Sequence, residues 1–468
     1  MSDFLNFVFS YLERALILAV PAALLGAFVL LIAAKIYKKK YHGARKFPWG
    51  RAILILLLAG YLAVVLFVTV FRASHYGDHY GNYHLFRAWR EAWNNFSEKN
   101  WLNVLLNITM FVPLGVLLPL LKKWFRKWYI MLPTGFLTSL AIEAIQYFSY
   151  RGLFDVDDLF CNTLGAMTGF WLVMVFLMIR EKKWGRSVCH GLALAAVAAS
   201  IGGIFISYNM QEYGNLTTSP SFRVNTKDVE WTVSCELSNA EQKVDIYRTH
   251  TSSKEECEAF GREFLRNLGV EDVYVTIYNE EVYLRENQGS RWIEVFYQDG
   301  HYSYTDMEDW DILNSVHSQT DEQTLRQLLT EHGIEVPEEA EFSYDADGEV
   351  HYFRVNRHVD GQTMTDGAIA VTYEEGYGIR DINNKMITFT YYGEAEIISE
   401  QEAARKLMDG WITSGEWLER KNAKQIEIVS CTLSYEVDTK GFYQPVYLIE
   451  LTSSDTNYEI TETVPAMK

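Results

Sequence analysis

The chain has 468 residues, of which 49% are hydrophobic, and a net charge of -18, so it is long enough for more than one domain. The charge is unevenly divided, since residues 1–208 hold 21 Lys and Arg against 10 Asp and Glu, whereas residues 209–468 hold 21 against 50. The long apolar runs occur in the first part. A basic membrane part followed by an acidic soluble part is therefore expected, and the scattered basic residues of the second part disfavour a nucleic-acid partner.

Six apolar runs in the first part are long enough to cross a bilayer of about 30 Å as helices. They lie at 15–36, 52–71, 102–121, 128–149, 159–179 and 188–207. In the first of them the basic cluster follows the apolar residues, whereas a cleavable signal peptide carries it in front. We therefore predict an α-helical polytopic membrane domain of six spans over residues 1–208.

The basic residues of this part are concentrated in alternate loops. The loops at 35–51, 122–127 and 180–186 hold 15 of its 21 Lys and Arg residues. Because cytoplasmic loops are enriched in Lys and Arg, these loops are expected to be cytoplasmic. The N-terminus, the 72–101 loop, the 150–158 loop and everything after about residue 208 are then extracytoplasmic.

Polar residues gather at the outer ends of the third, fourth and fifth spans. Glu143 and Gln146 lie one helical turn apart, and Asp158 and Asn162 share a face of the fifth span. An acidic side chain within a span costs about 2.5–3.5 kcal/mol on insertion scales, so Glu143 is not expected to face lipid. We predict an outward-facing ligand-binding pocket that comprises Asn107, Glu143, Gln146, Arg151, Asp155, Asp158 and Asn162.

These residues also permit other interpretations. Pairing of Glu143 or Asp155 with Arg151 or Arg72 would hold the helices in register without any ligand. A divalent cation at Glu143, Asp155 and Asp158 is a further alternative, and no other motif implies a cofactor. No positioned nucleophile or base accompanies the carboxylates, so binding is favoured over catalysis.

Three motifs in this region closely resemble the VanZ-like family of bacterial membrane proteins. They are NVLLNITMFVPLGVLLPLL (103–121), SLAIEAIQYF (139–148) and FDVDDLFCNTLGAMTGF (154–170). The stretch YHLFRAWREAW (83–93) is similar to the loop that precedes the third span in the family. The resemblance covers about residues 50–175.

The family pattern can be carried over residue by residue. It points to Asn107, Phe111, Pro113, Gly115, Glu143, Gln146, Arg151, Asp155, Asp158, Asn162 and Gly165. The resemblance implies a multi-pass protein of the bacterial plasma membrane and a cell-envelope role connected with resistance to teicoplanin-type glycopeptides. It implies no particular reaction.

After a predicted linker at 209–221, residues 222–468 indicate an extracellular α+β domain. The capping-box patterns SKEE (253–256), TDEQ (320–323) and SEQE (399–402) each begin a helical pattern that ends near a glycine: Gly269, Gly333 and Gly410. Between them lie alternating runs typical of strands: DVYVTIYN (272–279), RWIEVFYQ (291–298), VHYFRVNRHV (350–359) and QIEIVSCTLSYEV (425–437). We predict two or three repeated units, each a helix on an antiparallel sheet.

The last unit and the C-terminal residues resemble PepSY-type and YycI-type extracytoplasmic modules, which implies an interaction or regulatory role. Three cysteines, Cys235, Cys257 and Cys431, fall in this domain. Their odd number permits at most one internal disulfide, and the sequence does not identify the pair.

The leading functional hypothesis is a protein that binds or handles a lipid-linked or peptide-like ligand at the outer leaflet. Its partners would be membrane lipids or an envelope precursor. Two alternatives remain. One is a membrane-anchored extracytoplasmic sensor or regulator with a protein partner, and the other is a metal-assisted enzyme that acts on envelope lipids.

Overall fold

A computed structural model describes residues 25–42, 44–71, 81–278, 280–308, 318–415, 418, 423–454 and 458–468. The chain divides into two compact units. Unit 1 comprises Met1–Leu85 and Asn103–Ile206, and unit 2 comprises Phe86–Leu102 and Ser207–Lys468.

Unit 1 is built from long apolar helices. Residues 25–40 are helical (α1), and the other helices with residues in this unit are α2 (Trp49–Leu66), α4 (Glu98–Leu121), α5 (Trp128–Phe148), α6 (Val156–Arg180) and α7 (Trp184–Met210). Within the described residues, five helical segments are long and apolar enough to cross a membrane: Trp49–Thr69, Glu98–Leu121, Trp128–Phe148, Val156–Arg180 and Trp184–Met210. They match the predicted runs from residue 52 onwards. Of the predicted first span, 15–36, residues 15–24 lie outside the described residues and residues 25–36 belong to α1.

Helix α6 is the central element of unit 1. More than half of its most apolar stretch is buried, whereas the corresponding stretch of α7 contains no buried residue. Phe170 and Met174 of α6 pack in one apolar cluster with Phe111 of α4, Met131 of α5 and Val65 of α2. The chain therefore surrounds α6 with α2, α4 and α5.

Glycines allow α4 and α6 to approach closely. A Cβ atom on Gly165 would overlap the carbonyl oxygen of Ile108, and one on Gly169 would overlap that of Val112. From the other side, a Cβ atom on Gly115 would overlap the carbonyl oxygen of Ala166. Small residues at such contacts let helix backbones meet in a membrane, so side chains near this crossing are brought within hydrogen-bonding distance.

Two short strands also belong to unit 1. Strand β1 (Gly81–Asn82) pairs in parallel with β2 (Phe154–Asp155), with Asn82 opposite Asp155. The pairing joins the segment before residue 85 to the start of α6.

Unit 2 contains a large, mostly antiparallel sheet. Its strands are β3 (Glu230–Val233), β4 (Gln242–Arg248), β5 (Val273–Ile277), β6 (Glu281–Glu286), β7 (Arg291–Phe296), β8 (Tyr302–Asp306), β9 (Glu341–Asp345), β10 (Val350–Asp360), β11 (Thr363–Glu374), β12 (Gly378–Asn384), β13 (Ile387–Ile397), β14 (Gln425–Val437), β15 (Phe442–Ser453) and β16 (Tyr458–Pro465). The order is β3-β14-β15-β4-β13-β11-β12-β8-β7-β6-β5, with β10 beside β11, β9 beside β10 and β16 beside β15. In the described residues β3 is parallel to its neighbour β14.

Three helices begin close to the predicted capping boxes: α8 (Lys254–Asn267), α9 (Glu322–Glu331) and α10 (Glu400–Met408). Ser253 and Ser399 cap α8 and α10 as predicted. The cap of α9 is Asp321, one residue beyond the predicted Thr320, because the Asp321 carboxylate accepts the N–H of Thr324. Each helix is followed by a glycine with positive φ, at Gly269, Gly333 and Gly410.

The helices cover two separate hydrophobic cores. Helices α8 and α9 pack on strands from β5 to β12 through residues such as Leu265, Leu325 and Ile293. Helix α10 packs on the other core with Ile428 and Ile449. The α+β character of the C-terminal part is thus observed, whereas its division into repeated units stays a prediction.

Unit 2 also includes a helix from the membrane part of the sequence. Helix α3 (Arg87–Asn95) is bounded on both sides by residues of left-handed conformation, Phe86 and Phe96. The side chain of Asn94 donates to the carbonyl oxygen of Ser219 at 2.7 Å, and Asn215 donates to that of Trp93 at 2.6 Å. Phe96 stacks on Tyr208. The predicted 72–101 loop therefore contains a helix that packs with residues that follow α7.

The turn between β14 and β15 holds the predicted linker. The buried carboxylate of Asp438 accepts the N–H of Gly214 at 2.6 Å and the N–H of Phe442 at 3.0 Å. The Lys440 ammonium donates to the carbonyl oxygen of Tyr208, at the end of α7, at 2.8 Å. The chain is thus tied to the sheet directly after α7.

Candidate functional site

Polar side chains of α4, α5 and α6 meet beside the glycine contact. The Asn107 amide on α4 donates a hydrogen bond to the Asp158 carboxylate on α6. The Asn162 amide, one turn further along α6, donates to the Ser139 hydroxyl of α5 at 2.9 Å. The Ser139 hydroxyl donates in turn to the backbone oxygen of Asp158 at 3.5 Å.

The start of α6 brings a second set of groups to this place. Asp155 caps the helix, and its carboxylate accepts the N–H of Asp157 at 2.7 Å and the Asn82 amide at 2.9 Å. The N–H of Asp155 donates to the Glu143 carboxylate of α5 at 2.9 Å. Burial raises the pKa of Asp155, although the hydrogen bonds from Asp157 and Asn82 oppose that rise.

These contacts define what we call the polar cluster. The Glu143 and Asp158 carboxyl groups lie within electrostatic reach of each other, which joins the two sets of contacts. Five of the seven predicted site residues belong to it, together with two that the sequence did not indicate. The members are Asn82, Asn107, Ser139, Glu143, Asp155, Asp158 and Asn162.

The other two predicted residues have different surroundings. Gln146 donates to the carbonyl oxygen of Thr69 at 3.0 Å and so fastens α5 to the helical turn that directly follows α2. Arg151 is exposed just beyond α5, and its N–H donates to the carbonyl oxygen of Gln146 at 3.0 Å. Their assignment to a ligand-binding pocket stays a prediction.

The inner part of the cluster is buried and incompletely satisfied, whereas Asn82, Asn107, Asp155 and Asp158 are partly exposed. Glu143 and Asn162 are each 2% exposed. Within the part of the chain that the structure describes, the Asn162 side-chain oxygen is buried without any hydrogen-bond partner. Most buried polar atoms in proteins have a partner, so an unpaired acceptor marks a place where a donor from a ligand or a water molecule would be stabilised.

The two residues that sequence reasoning missed have identifiable causes. Asn82 reaches Asp155 through a two-residue strand whose partner is 73 positions away, and no local pattern reveals such a pairing. Ser139 is a small residue inside an apolar span, where a hydroxyl usually bonds to its own helix. Its spacing of four from Glu143 on α5 was the available signal.

The metal alternative finds no support in the described residues. They contain no group of three or more His, Cys, Asp or Glu side chains that could hold a metal ion. The amide and hydroxyl members of the polar cluster are hydrogen-bonding groups. The arrangement is therefore suited to hydrogen bonding with a ligand that presents donors.

Comparison with known proteins identifies the region that contains this cluster. The family model described as VanZ/LLP1 matches residues 53–177, a stretch that holds every residue of the polar cluster. No curated protein that was compared with the chain matches it. The motifs quoted above predicted this family, and the matched stretch of the chain is a VanZ-like domain.

Proposed function

We propose that the protein is a VanZ-like component of the bacterial cell envelope that binds or handles a lipid-linked or peptide-like ligand at the outer leaflet. Through that ligand it would confer resistance to teicoplanin-type glycopeptides. The observation that carries the proposal is the polar cluster, in which side chains of three helices meet while the Asn162 oxygen has no partner in the described residues. The VanZ/LLP1 match supplies the envelope context.

The chemistry of the cluster limits the kind of ligand. Carboxylates at Glu143, Asp155 and Asp158 and the Asn162 oxygen are hydrogen-bond acceptors. They are suited to a ligand that presents N–H, ammonium or hydroxyl donors. The amides and amines of a peptide and the hydroxyls of a glycan headgroup meet this requirement.

The positions of the basic loops support an orientation for the cluster. Lys122, Lys123, Arg126 and Lys127 lie between α4 and α5, and a second basic group follows α6. The polar cluster lies at the opposite ends of the same helices. Because cytoplasmic loops are enriched in Lys and Arg, this supports an extracytoplasmic position for the cluster, for the N-terminus and for unit 2.

The proposal is tested by replacing one carboxyl group at a time. A strain that lacks the gene is complemented with the wild-type chain or with Glu143→Gln, Asp158→Asn or Glu181→Gln. Both cluster variants should lower the minimal inhibitory concentration of teicoplanin to that of the deletion strain, because they weaken donor recognition. The matched control Glu181→Gln loses the same charge just after α6, in an exposed pair with Arg126, and should retain full resistance.

Membrane levels of each variant are measured by immunoblot, so that loss of protein is not mistaken for loss of function. If Glu143→Gln and Asp158→Asn are both present at wild-type levels and fully resistant, the polar cluster has no role in the phenotype. An unchanged teicoplanin susceptibility on deletion of the gene would remove the resistance function itself.

A second candidate function, sensing, is favoured by a cleft within unit 2. It has a volume of about 680 Å³ and is lined by polar and aromatic residues that include Asn95, Glu280, Phe296, Tyr297 and His301. That size is within the range of small-molecule sites. If sensing is the function, Glu280→Lys should alter the transcriptional response to envelope stress while Glu143→Gln leaves it intact. The opposite pattern would exclude the cleft.

A further inference from the structure

The three cysteines of unit 2 divide between its two cores. Cys257 is a buried residue of α8 in the core that α8 and α9 cover, and it is 1% exposed. Cys235 and Cys431 both pack against the other core, which α10 covers. Cys257 is therefore separated from a pair that shares one face of the sheet.

Strand register places this pair side by side. The parallel ladder of β3 and β14 ends with Val233 opposite Ile428. The chain continues along the strand, because the N–H of Ser234 donates to the carbonyl oxygen of Ile428 at 3.0 Å. Cys235 follows at once, and simple continuation would place it opposite Ser430.

An irregularity in β14 changes the partner. The pairing of β14 with β15 shifts between Ile428 and Ser430, which leaves Val429 without an opposite residue. A bulge of this kind reverses which side chains face the core. Ile426 and Ile428 face the core before the shift, and Cys431 and Leu433 pack against it afterwards. Cys431 thus becomes the core-facing residue of β14 that is next to Cys235.

Neighbouring strands are about 4.7–4.9 Å apart. The Cα atoms of a disulfide are usually about 4.4–6.8 Å apart, so residues on neighbouring strands are close enough to be bridged. The two thiols also influence each other electrostatically: burial, the charge of Glu400 and that of Cys235 together raise the pKa of Cys431 to about 12. A thiol with such a high pKa is a poor leaving group in thiol–disulfide exchange, which makes a bond at this site resistant to reduction.

Cys235 and Cys431 are both free thiols in the structure, and we infer that an oxidant converts them into a disulfide bond that joins the end of β3 to β14. The bond requires an oxidising compartment and so agrees with the extracytoplasmic position proposed for unit 2. The oxidant is a disulfide-bearing thiol oxidoreductase. One cysteine thiolate attacks its disulfide and releases one thiol, and the other then attacks the mixed disulfide and releases the second thiol. Two protons and two electrons pass to the oxidant, and one S–S bond is gained in the protein.

The experiment uses the full chain in the bacterial envelope. Cells are quenched in acid, free thiols are blocked in denaturant with N-ethylmaleimide, and the protein is reduced and treated with iodoacetamide before peptide mass spectrometry. Cys235 and Cys431 should carry the second label and Cys257 the first, and without reduction a linked peptide pair should be found. First-label modification of all three, or a link that includes Cys257, would overturn the inference.

Thermal unfolding supplies an independent readout. Cys235→Ser and Cys431→Ser should each lower the melting temperature of purified protein by about 5–10 °C. The double variant should be no less stable than either single variant, since one bond is lost in every case. Cys189→Ser, at an exposed residue of α7, should leave the melting temperature unchanged. Additive losses in the double variant would show that two independent packing defects, and no bond, cause the effect.

Discussion

Buried carboxylates occur in both units, but their surroundings differ. In unit 2, Glu462 is 1% exposed, and its carboxylate accepts the N–H of Thr413 at 2.7 Å, the N–H of Ser414 at 3.1 Å and the Ser414 hydroxyl. In unit 1, Glu143 is 2% exposed, and within the described residues the donor to it is the N–H of Asp155.

The difference distinguishes an anchor from a candidate site. Glu462 accepts hydrogen bonds from donors of one short loop, so it fastens that loop to β16. Its carboxylate has little remaining capacity to accept a hydrogen bond from a ligand. Glu143 lies near another carboxylate, Asp158, in a cluster that also contains the unpaired oxygen of Asn162. Burial alone does not indicate function, whereas burial with unused acceptors does.

The largest expected effect is on the anchor. Glu462→Gln should lower the free energy of unfolding of unit 2 by about 2–3 kcal/mol, because its amide group would face N–H donors that the carboxylate accepts. Glu143→Gln should cost about 1 kcal/mol or less, since the Gln side chain has nearly the same shape and its amide oxygen can still accept the N–H of Asp155. Thermal and denaturant unfolding of the purified chain, followed by circular dichroism, measures both. Equal losses of unfolding free energy in the two variants would show that Glu143 is a structural anchor like Glu462.

A smaller effect on stability is expected from the protonation of a buried histidine that accepts a hydrogen bond. The imidazole of His351 is fully buried and accepts the N–H of Thr320, next to the cap of α9, at 3.0 Å. Burial lowers the pKa of His351 below its ordinary value of 6.5. The unfolded chain therefore binds a proton first as the pH falls, and stability should decrease below about pH 6.5 by up to about 1.4 kcal/mol per pH unit.

His351→Gln is the matched variant for this prediction. It should unfold with a weaker dependence on pH between about 7 and 5 than the wild type, as measured by denaturant titration at each pH. If the two chains lose stability in parallel over that range, titration of His351 does not contribute.

The smallest expected change in stability concerns Asn162. Asn162→Leu removes an unpaired buried oxygen and replaces the side chain with one of similar volume, although it also loses the hydrogen bond to Ser139. The melting temperature should correspond to a change of less than about 1 kcal/mol in either direction. Teicoplanin resistance should nevertheless be lost. A large destabilisation would assign Asn162 to the helix packing.

Local patterns predicted much of this structure. Hydropathy located α4 to α7 to within a few residues at most ends, because a membrane span must satisfy its own backbone. Spacing along α6 placed Asp158 and Asn162 on one face, and the capping patterns located α8 and α10. These features depend on residues within a few positions of one another.

Features that depend on distant residues were not predicted. Strand β4 lies between β13 and β15 in the sheet, which no local pattern could indicate. Asn82 joins the polar cluster through a parallel pairing with Asp155. Thr320 and Asp321 are adjacent candidates for the cap of α9, and the cap is Asp321. The N–H of Thr320 instead donates to His351, a residue distant in sequence.

Helix α3 has a consequence for how this protein can be taken apart. It falls inside the matched stretch 53–177, yet it packs within unit 2, where Arg87 lies over the ring of Phe222 and Arg90 over that of Trp411. A C-terminal fragment that begins after α7 would lack α3, so these rings would be uncovered and Asn215 would be left without the Trp93 carbonyl. A soluble form of the C-terminal part will therefore need residues 86–102 to be attached to it in order to fold stably. Domain boundaries taken from the family match alone would omit this helix.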